Sequence, residues 1–412
     1  MRFTKLLAAL AGTCLLAMNL SGSVAQAATS PTCFGKSPTI TGTTGNDVIN
    51  GTSHADVIIG KDGADIIHGN GGDDLICGSD GVDTLYGDAG NDKLSGDNHQ
   101  DILYGGGGAD VINGGGQYYA DVAGGDTVSY ALSSTGVNVN LVTGQGGPVG
   151  QAQDTITGVM TIIGSPYNDT LSASADAHGN KIVGGAGADT ITGNDGLDMG
   201  DDLNGGSGND TINAKDGFDD VTGGPGSDVL NGGGDSTGFG DTIHYEDAAG
   251  PVNVNLATGQ ATGEGTDTIS GFSRVVGSTF DDVITGDANP NSIQAEDGSD
   301  TVYGGGGDDE LLGDGYACGA TLSTPTCSDG GDTIRGNAGN DTIYDGTNYP
   351  YGTPGPDVDT LFGGSGSDTV TATLGDDTLN VRDGVSGNDS ADGGDGTDAC
   401  SADSGDSVIN CP

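Results

Sequence analysis

The residues best placed for chemistry are aspartates that recur at every ninth position near the N-terminus. Each of these nonads begins with Gly, from Gly42 to Gly105, and has Ile or Leu at its eighth position. The sixth position carries Asp47, Asp56, Asp65, Asp74, Asp83, Asp92, Asp101 and Asp110. Carboxylates at a fixed spacing, within turns that expose carbonyl oxygens, are the hard donors that Ca²⁺ prefers. Zn²⁺ would require His or Cys, which these turns mostly lack.

A strict nine-residue period indicates a solenoid in which every repeat adds one turn and one short strand. The eighth-position side chain should point inward, because side chains alternate along a strand. Gly at turn positions one and four predicts positive φ there, which His54 and His99 at position four also tolerate. With two nonads per coil, Asp65 stacks on Asp47 at roughly 4.8 Å. Stacked carboxylates repel each other unless a cation lies between them.

The composition excludes an ordinary globular core. Among 412 residues there are 83 Gly and no Trp, and 60 acidic residues stand against 10 basic ones. Such a composition is typical of disorder, but the fixed phase of the aliphatic residues predicts an ordered repeat instead. The net charge of −50 argues against nucleic acid or an anionic membrane as a partner.

The first 27 residues have the features of a secretory signal peptide. Arg2 and Lys5 precede an apolar run from Leu6 to about Met18, and a small-residue cleavage site follows Ala27. The run is short for a membrane span, and no later stretch is long and apolar enough to cross a bilayer. We therefore expect cleavage, export and an extracellular, soluble chain that starts with a cap segment at 28–41.

Cysteine usage agrees with export. Cys14 lies in the signal segment, and the cysteines that remain are Cys33, Cys77, Cys318, Cys327, Cys400 and Cys411. An even number in an exported chain favours disulfides. Proximity along the chain suggests the pairs Cys318–Cys327 and Cys400–Cys411, which leaves Cys33–Cys77. Free thiols are the alternative.

The repeats divide the chain into a regular and an irregular part. Residues 42–113 are eight uninterrupted nonads, whereas 114–412 continue less regularly to a C-terminal cap. Two insertions, at about 126–172 and 241–285, are copies of each other and share the segment Val-Asn-Val-Asn-Leu. Its strict alternation predicts a half-buried strand. We expect longer strands within the same stack there, with no helix and no separate domain.

Some later nonads read Gly-Gly-x-Gly-x-Asp-x-aliphatic-x at every position, at 205–213, 223–231 and 363–371. This pattern is that of the calcium-binding parallel β-helix of RTX proteins. The chain resembles the haemolysin-type (RTX) calcium-binding repeat family over almost all of residues 42–401. The resemblance implies an all-β, right-handed parallel β-roll or β-helix solenoid that holds several Ca²⁺ ions between stacked turns. The further ligands that it implies are Asp189, Asp210, Asp219, Asp228, Asp282, Asp300, Asp309, Asp341, Asp368 and Asp377, with weaker positions at Asp169 and Asn291.

Family toxins and proteases pair such repeats with a catalytic or pore-forming region, whereas here the repeats begin at Gly42. The sequence therefore favours a secreted, non-enzymatic calcium-binding protein that folds around Ca²⁺. An extracellular structural or adhesive role would suit it, with a protein or glycan partner that the sequence does not identify.

The alternative is a secreted enzyme that acts on polysaccharide from a parallel β-helix. Glycosidase chemistry needs two carboxylates about 5–9 Å apart, and no obvious pair occurs among Glu246, Glu264, Glu296 and Glu310. A Gly-x-Ser-x-Gly motif at 234–238 lacks the strand–turn–helix context of a nucleophile elbow. The histidines are scattered, and we expect His68 and His244 to lie on the solvated surface.

Overall fold

The computed structural model describes residues 31–115, 125–175, 179–195, 200–234, 240–314, 330–346 and 358–411. In these ranges every helix or strand element is a β-strand, and Thr32–Pro412 form one compact unit. The described part of the chain contains no helix whose length and apolarity would let it span a membrane. The expected signal peptide, the Gly-x-Ser-x-Gly serine Ser236, and Cys318 and Cys327 lie outside the described residues.

The strands, numbered β1–β38 in chain order, form two long sheets. The first sheet contains, in order of pairing, β1 (Ile40–Thr41), β3 (Val57–Asp62), β5 (Leu75–Asp80), β7 (Lys93–Asn98), β9 (Val111–Gly115), β13 (Asp154–Thr157), β12 (Gln145–Gly146), β11 (Asn138–Asn140), β15 (Thr170–Ser172), β17 (Thr190–Thr192), β19 (Thr211–Asn213), β21 (Val229–Asn231), β25 (Thr266–Ser270), β24 (Gln260–Thr262), β23 (Asn253–Asn255), β27 (Val283–Thr285), β29 (Thr301–Gly306), β31 (Thr333–Ala338), β33 (Thr360–Ser365), β35 (Thr378–Asn380) and β37 (Ala399–Ser401).

The second sheet contains β2 (Val48–Asn50), β4 (Ile66–His68), β6 (Thr84–Tyr86), β8 (Ile102–Tyr104), β10 (Thr127–Ser129), β14 (Thr161–Ile163), β16 (Lys181–Ala186), β18 (Asp202–Ser207), β20 (Asp220–Thr222), β22 (Asp241–His244), β26 (Phe272–Val276), β28 (Ser292–Gln294), β30 (Glu310–Leu312), β32 (Thr342–Tyr344), β34 (Thr369–Thr371), β36 (Ser390–Asp392) and β38 (Ser407–Ile409).

The register shows how the nonads stack. Ile58 pairs with Ile76 in the first sheet, and Ile67 pairs with Leu85 in the second, both in parallel. Paired residues are therefore two nonads apart, because consecutive nonads contribute to opposite sheets. This register confirms the expected all-β solenoid with two nonads in each coil.

The core is one row of aliphatic side chains from each sheet. Eighth-position residues such as Ile58, Ile76, Leu85 and Leu103 are completely buried. Burial of one such side chain contributes roughly 1.5–3 kcal/mol. A coil that is only two strands thick can be filled by one inward side chain per strand, and the chain therefore folds without a conventional core.

The two copied insertions share one structure. In the first copy β11 and β13 both pair with β12 in the antiparallel sense, and in the second copy β23 and β25 pair with β24 in the same way. The Val-Asn-Val-Asn-Leu segments form strands β11 and β23 of only three residues each. The expectation of longer strands is met only in part, by β25 and β26 of five residues each, because the added residues mainly form an extra antiparallel strand.

Disulfides tie down both ends of the described roll. Cys33 is bonded to Cys77 in β5, with their Cα atoms 5.7 Å apart. Cys400 in β37 is bonded to Cys411, with a Cα–Cα distance of 5.8 Å. The first bond joins the segment before the repeats to β5, the third strand of the first sheet. The second bond links β37 to the C-terminal end of the described chain.

Candidate metal centre

The sixth-position aspartates form two hydrogen-bonded columns, one along each row of turns. The N–H of Asp65 donates to Oδ1 of Asp83 at 2.8 Å, and the N–H of Asp83 donates to Oδ1 of Asp101 at 2.7 Å. The other column repeats this contact, with the N–H of Asp74 on Oδ1 of Asp92 at 2.8 Å. Each carboxylate thus uses one oxygen to hold the preceding coil.

All the aspartates that the sequence marks as candidate ligands lie in these columns, as does Asp169. The structure adds members that the sequence reasoning missed, mostly because insertions displace them from the nine-residue period. Asp398 is an exception, since it keeps the sixth position of the nonad 393–401. The added members are Asp126, Asp154, Asp201, Asp241, Asp267, Asp332, Asp359, Asp389 and Asp398. An apolar residue two places after each, such as Val128 after Asp126, is the signal that could have found them.

In many turns the second carboxylate oxygen, Oδ2, is buried and has no hydrogen-bond partner. We call these open turns, and their aspartates include Asp65, Asp74, Asp83, Asp92, Asp101, Asp110, Asp189, Asp210, Asp228, Asp300, Asp309, Asp332, Asp341, Asp368, Asp377, Asp389 and Asp398. A charged oxygen buried without a partner costs several kcal/mol. Each open turn therefore calls for a proton or a cation at Oδ2.

The surroundings of Oδ2 supply further oxygen donors. A Cβ built on Gly69 would lie 2.5 Å from Oδ2 of Asp74 and 2.7 Å from the carbonyl oxygen of Gly87 in the next coil. A carboxylate oxygen and a carbonyl oxygen thus face the same small space inside the turn. Ca²⁺ takes such oxygens at 2.3–2.6 Å, and the residues present fit this ion.

The backbone of the turns differs in part from the sequence expectation. Gly63 at position four has the expected positive φ of 118°, and so does His99 with 79°. Glycine at position one does not have the expected positive φ, as Gly60 shows. Gly60 is required there for a different reason, because a Cβ would collide with Asp65 Oδ2. The left-handed residue is instead at position two, as in Lys61 with φ 87°.

In four of the described turns the residue at turn position two donates its N–H to Oδ2 and its hydroxyl to the same carboxylate, and we call these closed turns. Thr43 donates to Oδ2 of Asp47 from its N–H at 2.6 Å and from its hydroxyl at 2.9 Å. Thr52 does the same for Asp56 at 2.7 and 2.8 Å. In all four the residue at turn position two is a Ser or Thr, which satisfies the carboxylate without a cation.

The other two closed turns follow the insertions. The N–H of Ser165 donates to Oδ2 of Asp169 at 2.6 Å, and the N–H of Ser278 donates to Oδ2 of Asp282 at the same distance. Both hydroxyls donate to the corresponding Oδ1 at 2.7 Å. Closed turns therefore occur at the start of the first block of nonads and where nonads resume after each insertion.

Within the insertions a tyrosine hydroxyl takes the place that a cation would take elsewhere. The Tyr130 hydroxyl donates to Oδ2 of Asp154 at 2.9 Å, and the Tyr245 hydroxyl donates to Oδ2 of Asp267 at 3.5 Å. Both tyrosines are buried. At Asp154 and Asp267, therefore, a protein hydroxyl satisfies Oδ2 without a cation.

Burial raises the pKa of many open-turn aspartates, and in the closed turn of Asp56 hydrogen bonds reverse this effect. Burial, together with repulsion from neighbouring aspartates, raises the pKa of Asp92 to about 7 and that of Asp101 to about 8. Burial also raises the pKa of Asp332, to about 10. For Asp56, burial acts in the same direction, but hydrogen bonds from Thr52 and Thr39 outweigh it and leave the pKa below its ordinary value. Asp101 and Asp332 therefore hold a proton at neutral pH unless a cation replaces it.

The glutamates considered for glycosidase chemistry lie outside both columns. Glu296 is buried, and burial raises its pKa, while the side-chain amide of Gln294 donates to its Oε1. His244, which was expected on the solvated surface, is instead mostly buried, with Nε2 3.1 Å from Asp220 Oδ1 and Nδ1 3.9 Å from Glu246 Oε2. The Glu296 carboxyl and Glu246 also influence each other electrostatically.

Comparison with known families agrees with this geometry. A model of the RTX calcium-binding nonapeptide repeat (4 copies) matches residues 39–67, 50–85, 78–112, 174–199, 204–237, 275–314, 328–347, 353–385 and 383–409. The matches cover more than half of the chain and leave out most of the two insertions. No curated protein matches the chain. The nonads are calcium-binding motifs, and the chain belongs to the RTX calcium-binding nonapeptide-repeat family.

Proposed function

We propose that this protein is a secreted, non-enzymatic calcium-binding protein whose roll folds around Ca²⁺ at the open turns. The observation that carries the proposal is the series of buried Oδ2 atoms without a hydrogen-bond partner. Each would bind an ion together with carbonyl oxygens of the adjacent coil. The closed turns of Asp47, Asp56, Asp169 and Asp282 would need no ion at Oδ2, since Ser or Thr already satisfies it.

Charge supports coupling between folding and ion binding. The net charge is −50, and many of the acidic side chains are stacked and buried in the two columns. Ca²⁺ would relieve the repulsion between stacked carboxylates only in the folded state, so binding free energy becomes folding free energy. Extracellular Ca²⁺ modules bind at about 10⁻⁴–10⁻³ M. We infer that the chain stays loose at cytosolic Ca²⁺ and folds after export.

Two features support an extracellular setting. Disulfides persist mainly in oxidising compartments, and two are present in the described residues. The N-terminal 27 residues have the charge and apolar pattern of a signal peptide. A long, acidic, Ca²⁺-stiffened roll would suit a structural or adhesive role outside the cell.

The test is circular dichroism of the chain during titration with CaCl₂, with MgCl₂ as the control. We expect a transition from coil to β-structure with Ca²⁺ and none with Mg²⁺, because Mg²⁺ dehydrates reluctantly and demands near-ideal octahedral geometry. A β-spectrum that is the same with Ca²⁺ and with EDTA would rule the proposal out.

A polysaccharide-acting enzyme is the second candidate. The observation in its favour is the buried Glu296, whose pKa is raised by burial and also by the charge of Glu246, since a glycosidase needs a protonated acid and a second carboxylate. Hydrolysis of any member of a glycan panel that is lost in Glu296→Gln would support it. A silent panel from protein that binds Ca²⁺ would leave the first proposal standing alone.

A further inference from the structure

Asp345 occupies a place where most of the repeats have no side chain. It directly follows β32 and takes turn position one, which is Gly in most nonads and Ala at Ala372 one coil later. Its side chain is nevertheless buried, with 2% exposure. The chain between β32 and β33 therefore has a carboxylate at each of its two described ends, Asp345 and Asp359.

Asp345 accepts a hydrogen bond from the residue that would otherwise donate to the aspartate of the adjacent coil. Thr373 is at position two of the Asp377 turn, where a Ser or Thr caps its own aspartate in the closed turns. Here the Thr373 N–H donates to Oδ2 of Asp345 at 2.6 Å, and the Gly346 N–H donates to Oδ1 of Asp345 at 2.7 Å. Asp377 is fully buried, and its Oδ2 is left without a hydrogen-bond partner.

The three carboxylates converge. Asp345, Asp359 and Asp377 each offer an oxygen, and these oxygens lie within 4.8 Å of one another. The backbone holds two of them in place, since the Asp359 N–H donates to Asp377 Oδ1 at 2.9 Å and the Asp332 N–H donates to Asp359 Oδ1 at 2.7 Å. In an ordinary open turn each coil contributes one carboxylate. Here Asp345 and Asp359 contribute two carboxylates from one coil, and Asp377 contributes a third from the next coil.

We propose that Asp345, Asp359 and Asp377 form a three-carboxylate site that holds the most tightly bound Ca²⁺ ion of the roll. The proposal rests on the proposed calcium-dependent function and deepens it, because one ligand comes from a position that gives no side-chain ligand in the repeat pattern. Three negative ligands within 4.8 Å repel strongly when buried, and one divalent cation between them relieves this repulsion. Affinity of oxygen-ligand sites for Ca²⁺ rises with the number of charged ligands.

The test is isothermal titration of the intact chain with CaCl₂, repeated with TbCl₃, on the wild type, Asp345→Asn and Asp376→Asn. Asp376 is exposed and accepts the Thr397 N–H at 2.9 Å, so its variant removes the same charge one residue from Asp377 without removing a proposed ligand. We expect Asp345→Asn to weaken the tightest class of sites by about tenfold or more. Asp376→Asn should retain that class.

A tightest class that is the same in Asp345→Asn as in Asp376→Asn would overturn this inference while leaving calcium-dependent folding intact. Failure of the wild type to bind Ca²⁺ would instead overturn the proposed function itself. If Asp345→Asn does not fold, Asp345→Gly restores the usual residue of the repeat and is expected to fold with the tightest class missing. Retention of that class in Asp345→Gly would contradict the site.

Discussion

The backbone N–H of Asp83 donates a 2.7 Å hydrogen bond to Oδ1 of Asp101, the same carboxylate whose Oδ2 is buried without a partner. One side chain therefore joins two coils through Oδ1 and offers Oδ2 to a cation. The two tasks can be separated, because the amide oxygen of Asn can still accept the backbone hydrogen bond but carries no charge. Asp-to-Asn substitutions consequently probe the ion without breaking the column.

In Ca²⁺-free solution the folded roll should lose stability as the pH rises from about 4 to about 8. Burial raises the pKa of Asp92 to about 7 and those of Asp101 and Asp300 to about 8. Between the unfolded value near 3.9 and these folded values, the folded state binds more protons than the unfolded chain. Stability is thus greatest below this window and falls through it, and it falls further above it because Asp332, with a pKa of about 10, is still protonated there. Thermal unfolding of metal-stripped protein by circular dichroism at several pH values measures this trend.

The same titration in saturating Ca²⁺ is the control, and its melting temperature should be nearly constant above about pH 5. Ca²⁺ displaces the proton from Oδ2, so the folded and the unfolded chain bind the same number of protons at these sites over that range. A melting temperature of the metal-stripped protein that stays flat or rises between pH 4 and 8 would contradict the assignment of protonated open turns.

Gly90→Ala should destabilise the roll by about 1–3 kcal/mol. Gly90 is at turn position four with φ 154°, and a Cβ there would overlap with the carbonyl oxygen of Gly72 in the coil before. Gly71→Ala is the matched control, because its Cβ would meet only the Ala89 carbonyl oxygen at 3.7 Å and its φ is not left-handed. Denaturant unfolding in saturating Ca²⁺ compares the two. Equal free energies of unfolding would show that the coils can separate to accept a side chain.

The sequence alone predicts the coil where its period is constant. From Asp47 to Asp110 each nonad has the same length, and the structure keeps that register throughout. Asp126 and Asp154 were missed because the insertions alter the spacing, although both retain the apolar residue two places later. The local Asp-x-apolar pattern is therefore kept after an insertion, whereas the nine-residue spacing is lost.

The distinction between open and closed turns depends on geometry that the period does not contain. Thr52 and Lys61 occupy the same turn position, but only Thr52 donates hydrogen bonds to the aspartate of its own turn, from its N–H and its hydroxyl to Asp56 Oδ2. Lys61 instead adopts φ 87°. The error at turn position one has the same origin, since Gly60 is needed for close approach between coils and not for its φ. Contacts between coils, which are remote in sequence, decide both cases.

Tyr130→Phe should lower the free energy of unfolding by about 1–3 kcal/mol, because it leaves Asp154 Oδ2 buried without its donor. Tyr167→Phe is the control, since Tyr167 is 47% exposed and its loss should change stability by less than about 0.5 kcal/mol. Both are measured by urea unfolding at pH 7 in Ca²⁺. If the two variants have the same free energy of unfolding, the hydrogen bond from Tyr130 to Asp154 does not stabilise the fold.

Asp74→Asn should reduce the number of Ca²⁺ ions bound, whereas Asp56→Asn should leave it unchanged. The two aspartates belong to adjacent coils of one column, and the Asp56 N–H donates to Asp74 Oδ1 at 2.7 Å. Oδ2 of Asp74 has no partner, but Oδ2 of Asp56 accepts the N–H and hydroxyl of Thr52. Each substitution removes one charge and leaves an oxygen that can accept the backbone bond, so only the role of Oδ2 separates them. Metal analysis after dialysis against CaCl₂ counts the ions, and an equal loss in both variants would mean that closed turns bind Ca²⁺ as open turns do.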